Sequence, residues 1–150
     1  MDDCELAISG THKDFTTVFE SKGGLSESEK SQLKKGDLIV RSMEISKGPF
    51  HHVGTYCGRS EVIDFAANPD VQQQGLPRLM SASMTYVDGT VCKLGLINFI
   101  KENPFRVLRL KSGTSEEDFD KRVTMAMNSA PKYNFLTNNC MHFAMGLLKK

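Results

Sequence analysis

The spacing of apolar residues changes along the chain, and each change predicts an element. Phe15, Val18 and Phe19 recur at three- and four-residue intervals in a segment starting near Thr11, which reads as a short amphipathic helix or a flexible arm. Gly23-Gly24 breaks that segment. Ser26 and Glu29 then have capping-box spacing for a short helix ending near Gly36. From Asp37 the texture turns to strand formers, in Asp37-Leu38-Ile39-Val40-Arg41, and Lys47-Gly48-Pro49 signals a turn. Residues 52–58 and 61–65, rich in β-branched and aromatic side chains and separated by Arg59-Ser60, predict a hairpin. Residues 67–82 read as a long loop, and 90–96 and 105–110 as further strands.

The last third is patterned for helix. Thr114 and Glu117 have capping-box spacing, acidic residues fill 116–118, and Phe119, Val123, Ala126 and Met127 follow at helical intervals. Ala130-Pro131 stops that helix, and 139–148 reads as a final buried helix beginning near Cys140. The order predicts an α+β fold, an antiparallel sheet with helices segregated to its flanks. Residues 1–30 read as an N-terminal extension and 31–150 as the main domain.

Composition narrows the function classes. The chain has 150 residues, 39% hydrophobic and 25% charged, the balance of one soluble globular domain. Its formal charge of +1 leaves no electrostatic footprint for nucleic acid. No apolar run approaches the roughly 20 residues of a membrane-spanning helix. The start Met-Asp-Asp-Cys-Glu is acidic where a secretory signal is basic, so a cytoplasmic protein is expected. The four cysteines, Cys4, Cys57, Cys92 and Cys140, are widely spread and show neither zinc-ligand nor disulfide-scaffold spacing. No metal and no cofactor is expected.

A nucleophilic thiol is the remaining question. Cys140 stands at a helix start after Thr137-Asn138-Asn139, where unpaired N–H groups and the helix dipole favour thiolate. The same N–H groups suit an oxyanion. A core cysteine that happens to open a helix is the commoner case. His52 opens a strand and is placed to serve as base, with a surface histidine as the plainer reading. His51 competes, but strand alternation lets only one of the pair face the thiol. Asp64, on the returning strand, is an approximate cross-strand partner of His52 that would orient its imidazole, against the plainer reading of an exposed strand-end aspartate. His142, Cys57 and Cys92 read as packing residues and Cys4 as exposed. Most of the eight methionines read as core or loop filler, although Met80, Met84 and Phe50 could line an acyl-chain groove.

Together, Gly36-Asp37-Leu38-Ile39, then His52-Val53-Gly54-Thr55-Tyr56-Cys57-Gly58, then Asn139-Cys140-Met141-His142-Phe143 resemble the lecithin:retinol acyltransferase-like family. This is the branch of NlpC/P60-type thiol enzymes that includes the HRAS-like suppressor phospholipase/acyltransferases. The resemblance implies an NlpC/P60-like, circularly permuted papain-like sheet with Cys140 as nucleophile, His52 as general base and Asp64 orienting it. Tyr56 and Asn139 would border the site. It further implies acyl transfer from a phospholipid donor through a Cys140 thioester, giving phospholipase A1/A2 or N- or O-acyltransferase activity.

The chain departs from the family at three places: Asp64 stands where histidine is usual, Met141 where glutamate is usual, and Val53 where an aromatic is common. Only seven residues follow Phe143, so the hydrophobic anchor of membrane-bound members is not expected, and a soluble or only peripherally membrane-associated protein is. The alternative is a non-enzymatic interaction module that keeps the fold, as in some viral H-box/NC proteins. A peptidase or amidase of the broader thiol-hydrolase group has less support. The residues do not specify an oligomeric state.

Overall fold

The computed structural model describes residues 12–42, 51–67, 87–129, 131–133 and 140–148. Its elements in chain order are β1 (Phe15–Ser21), α1 (Glu27–Gln32), β2 (Leu38–Ser42), β3 (His51–Gly58), β4 (Glu61–Ala67), β5 (Val87–Gly95), α2 (Leu96–Ile100), β6 (Phe105–Leu110), α3 (Glu116–Met127), β7 (Lys132–Tyr133) and α4 (Cys140–Leu148). The strands form one antiparallel sheet in the order β1-β6-β2-β3-β4-β5-β7. This is the α+β, NlpC/P60-like layout that the sequence predicts.

Apolar side chains leave both faces of the sheet, so both faces are covered. On one, Val40, Val53, Ile63 and Leu108 pack against Phe119 and Val123 of α3 and against Met141, Ala144 and Leu147 of α4. On the other, Ile39, Tyr56, Val62 and Val107 pack against Leu96, Phe99 and Ile100 of α2. Area removed from water on both sides is the main stabilising term.

The segment around Phe15 is a correction. It is neither a helix nor an arm but edge strand β1, paired with β6. A register irregularity between Thr17 and Phe19 explains the helix-like spacing. Phe15 belongs to the α3/α4 side of the core, while Phe19 crosses to the other side and meets Phe105 edge-on at 6.0 Å. A bulge breaks the period of two that marks a strand.

Smaller differences concern boundaries. The Ser26–Glu29 capping box forms, but α1 stops at Gln32, well before Gly36. The cap of α3 is Ser115, whose side chain accepts from the Asp118 N–H, rather than Thr114. The strand expected over 90–96 gives way to α2 at Leu96. Positions 68–82 of the expected loop lie outside the described residues.

Asp37 joins three of these parts. Its carboxylate is almost wholly buried and takes two hydrogen bonds from Arg109, at 2.9 and 2.8 Å, and one from the Lys34 N–H at 2.9 Å. Its carbonyl accepts from the Tyr56 N–H, and the Tyr56 carbonyl from the Gly36 N–H. The Gly36-Asp37 block thus clamps the entry of β2 to β3 and β6. At the other end of the chain, Arg122 Nη1 donates to the Leu147 carbonyl at 3.0 Å, tying α3 to the last turn of α4.

Candidate active site

The hairpin of β3 and β4 sets the geometry of the site. Arg59 and Ser60 form its turn, both with positive φ, at 54° and 63°. Gly58 pairs with Glu61, but Tyr56 pairs with Val62, so Cys57 is an extra residue in β3. A regular ladder counted back from Gly58 would set Asp64 opposite Thr55 and turn its carboxylate away from His52. The bulge moves Asp64 opposite Gly54, onto the face shared by His52, Gly54 and Tyr56.

Asp64 is therefore the approximate cross-strand partner of His52 that the sequence implies, set on the diagonal rather than directly opposite. The diagonal suits a hydrogen bond, and His52 Nε2 lies 2.7 Å from Asp64 Oδ2, with both side chains buried. His52 is also held from below. Its ring stacks on Phe99 with centroids 5.5 Å apart, and the Arg41 guanidinium covers the same phenyl ring at 5.2 Å. Gly54 makes room for that ring: a Cβ there would stand 2.4 Å from Val62 and 2.7 Å from Phe99.

Cys140 is the first residue of α4, on the side of the sheet lined by Val53 and Ile63. Alternation assigns His52 to the opposite face, yet the two side chains meet beside the first residues of β3. The thiol hydrogen-bonds His52 and receives the backbone N–H of Val53. With Nε2 committed to Asp64, Nδ1 is the ring nitrogen left for the sulfur. Met141 and Phe143 seat the helix. Met141 is buried in the core, and the Phe143 ring packs on Phe65 at 5.5 Å.

The electrostatics follow from this arrangement. Burial opposes charge on His52, but the adjacent Cys140 sulfur and the Asp64 hydrogen bond outweigh it and raise the imidazole to about 9. Burial likewise opposes a Cys140 thiolate, and the His52 charge and hydrogen bond with the Val53 N–H outweigh that, holding the thiol below its ordinary value. The pair favours thiolate and imidazolium. Cys57 shows the contrast: burial pushes its thiol up to about 11.

Three residues singled out from the sequence are thus brought together: Cys140, His52 and Asp64. Tyr56 is not with them. Its hydroxyl accepts from the Ser60 N–H at 3.1 Å, at the turn end of the hairpin. His142 is half-buried on α4, in keeping with a packing residue. Asn139, Phe50, Met80, Met84 and Cys4 lie outside the described residues, as does the side chain of His51. Cys92 is the residue that sequence reading missed. It is not simply packed, for its Sγ lies 3.2 Å from Asp64 Oδ1. Only the β4–β5 register reveals that contact, and no local motif carries it.

Among the described residues no helix is long and apolar enough to cross a membrane. Two described cavities, of about 570 and 520 Å³, share Leu110, Gly113 and Thr114, and none of the three site residues lines them.

No curated protein matches the chain. The sequence model described as lecithin retinol acyltransferase matches residues 31–149, a span that contains every element from β2 to α4. Members of that family are acyltransferases, so acyl transfer is the class of chemistry that membership carries. Because that match spans well over half of the 150 residues, the chain belongs to the lecithin retinol acyltransferase family.

Proposed function

We propose that the protein transfers acyl groups from glycerophospholipids through a thioester on Cys140. The observation that carries this reading is the buried hydrogen-bonded series Cys140–His52–Asp64, with the thiol lowered and the imidazole raised. Such a pair supplies a nucleophile and an acid in one contact.

The Cys140 thiolate attacks the ester carbonyl carbon, and the carbonyl oxygen takes the negative charge. Backbone N–H groups at the start of α4 would stabilise that oxyanion. As the intermediate collapses, the C–O bond breaks and the His52 imidazolium passes its proton to the leaving oxygen, releasing a lysophospholipid. The acceptor then attacks the thioester carbonyl while neutral His52 takes its proton, and the C–S bond breaks to return the Cys140 thiolate beside the His52 imidazolium. Water as acceptor gives a free fatty acid, an amine gives an amide, and an alcohol gives a new ester. Asp64 holds the imidazole by Nε2 throughout and stabilises its charged form. Aspartate in place of the family's usual histidine keeps the acceptor that this role needs.

The test is intact-protein mass spectrometry after incubation with short-chain phosphatidylcholine, wild type beside Cys140→Ala. An acyl-sized mass gain confined to wild type is the expected result. No adduct, together with no fatty acid or lysolipid released from dispersed or micellar substrate, would reject the enzyme reading in favour of a binding module.

A further inference from the structure

Asp64 has two carboxylate oxygens, and the series through His52 uses one. Cys92 on β5 stands directly opposite Asp64 on β4, so the two side chains leave the same face of the sheet. Its Sγ lies 3.2 Å from Oδ1, while Oδ2 faces His52 Nε2 at 2.7 Å. A carboxylate held at one oxygen turns readily about its broad terminal torsion, whereas one held at both is fixed in plane. We infer that Cys92 is a positioning residue: its S–H donates to Asp64 Oδ1 and fixes the carboxylate so that Oδ2 meets the His52 ring.

Burial and the neighbouring Asp64 carboxylate push the Cys92 thiol up to about 12, so it remains a donor across the working range. Among the described residues, the groups facing His52 are Asp64 from β4, Cys140 from α4 and, across the shared phenyl ring, Arg41 from β2. Asp64 faces Cys92 from β5, and no other element contributes a charge to this cluster in the interactions described. The two half-buried or buried thiols of the cluster therefore have opposite assignments. Cys140 is the reactive one, and Cys92 is an inert donor separated from it by Asp64 and His52. The catalytic consequence rests on the function proposed above, but the geometry does not.

The experiment compares Cys92→Ala and Cys92→Ser in the full chain. Iodoacetamide alkylation of Cys140 is followed against pH by peptide mass, and the melting temperature is recorded for each variant. Alanine removes the donor, and serine keeps one. We expect alanine to slow Cys140 alkylation by about tenfold on the acid limb of the profile, the size of a one-unit shift of the thiol toward its ordinary range. Serine is expected to restore the wild-type profile. An unchanged profile in the alanine variant would overturn the inference. So would equal losses in both variants with matching falls in melting temperature, which is the signature of packing alone. Alkylation needs no acyl substrate. If wild type turns over no lipid while the alanine–serine contrast holds, the proposed function fails and the positioning role stands.

Discussion

Protonation of Cys140 and His52 decides how the site answers to pH. The thiolate forms as pH rises through the lowered Cys140 value, and the imidazolium survives until pH passes the raised His52 value of about 9. The two titrate as a pair. Turnover should therefore trace a bell, with its acid limb below the ordinary thiol range and its base limb near 9, where His52 can no longer protonate a leaving group. In Asp64→Asn the base limb should move toward the ordinary histidine value, and the rate should fall on the order of 10²-fold or more. A pH–rate profile of the two proteins checks both points. Gly54 offers a test of support rather than chemistry. A Cβ at 2.4 Å from Val62 and 2.7 Å from Phe99 overpacks the platform under His52. Gly54→Ala should cost about 1–3 kcal/mol, read as a lower midpoint in a urea melt.

The hairpin joins residue chemistry to sheet geometry. Arg59 and Ser60 both occupy the left-handed region, which suits asparagine and glycine better. Replacing Arg59-Ser60 by Asn-Gly should stabilise the fold by about 1 kcal/mol and leave Cys140 alkylation unchanged, because the Cys57 bulge remains. This hairpin also shows how far the sequence could be read. Its strands were legible because β-branched and aromatic residues flank a polar pair. The candidate thiol, base and carboxylate were legible as residue types in ordered blocks. The bulge was not, since Cys57 carries no mark of being unpaired until its ladder is traced. The same gap hid β1, whose bulge mimics a helical period, and it hid Cys92, whose partner is set by strand register. Alternation within one strand is local information, but the pairing of two strands is not.

At the scale of the molecule, the Asp37 clamp and the two-sided core act on the same sheet. Asp37→Ala would leave Arg109 without its carboxylate and the Lys34 N–H without its acceptor, and should cost about 2–3 kcal/mol. Thermal melts followed at strand and helix wavelengths should shift together, because β2 lies between β6 and β3 in the middle of the sheet. The site is equally distributed. His52 comes from β3, Asp64 from β4, Cys92 from β5 and Cys140 from α4, so no fragment of the sheet holds it. During synthesis, the ribosome releases the sheet residues before it releases the sulfur. Until α4 docks, Cys140 is an ordinary thiol with no imidazole beside it. The nascent chain carries only ordinary thiols, and the appearance of a fast-alkylating cysteine should mark the docking of α4 on the sheet.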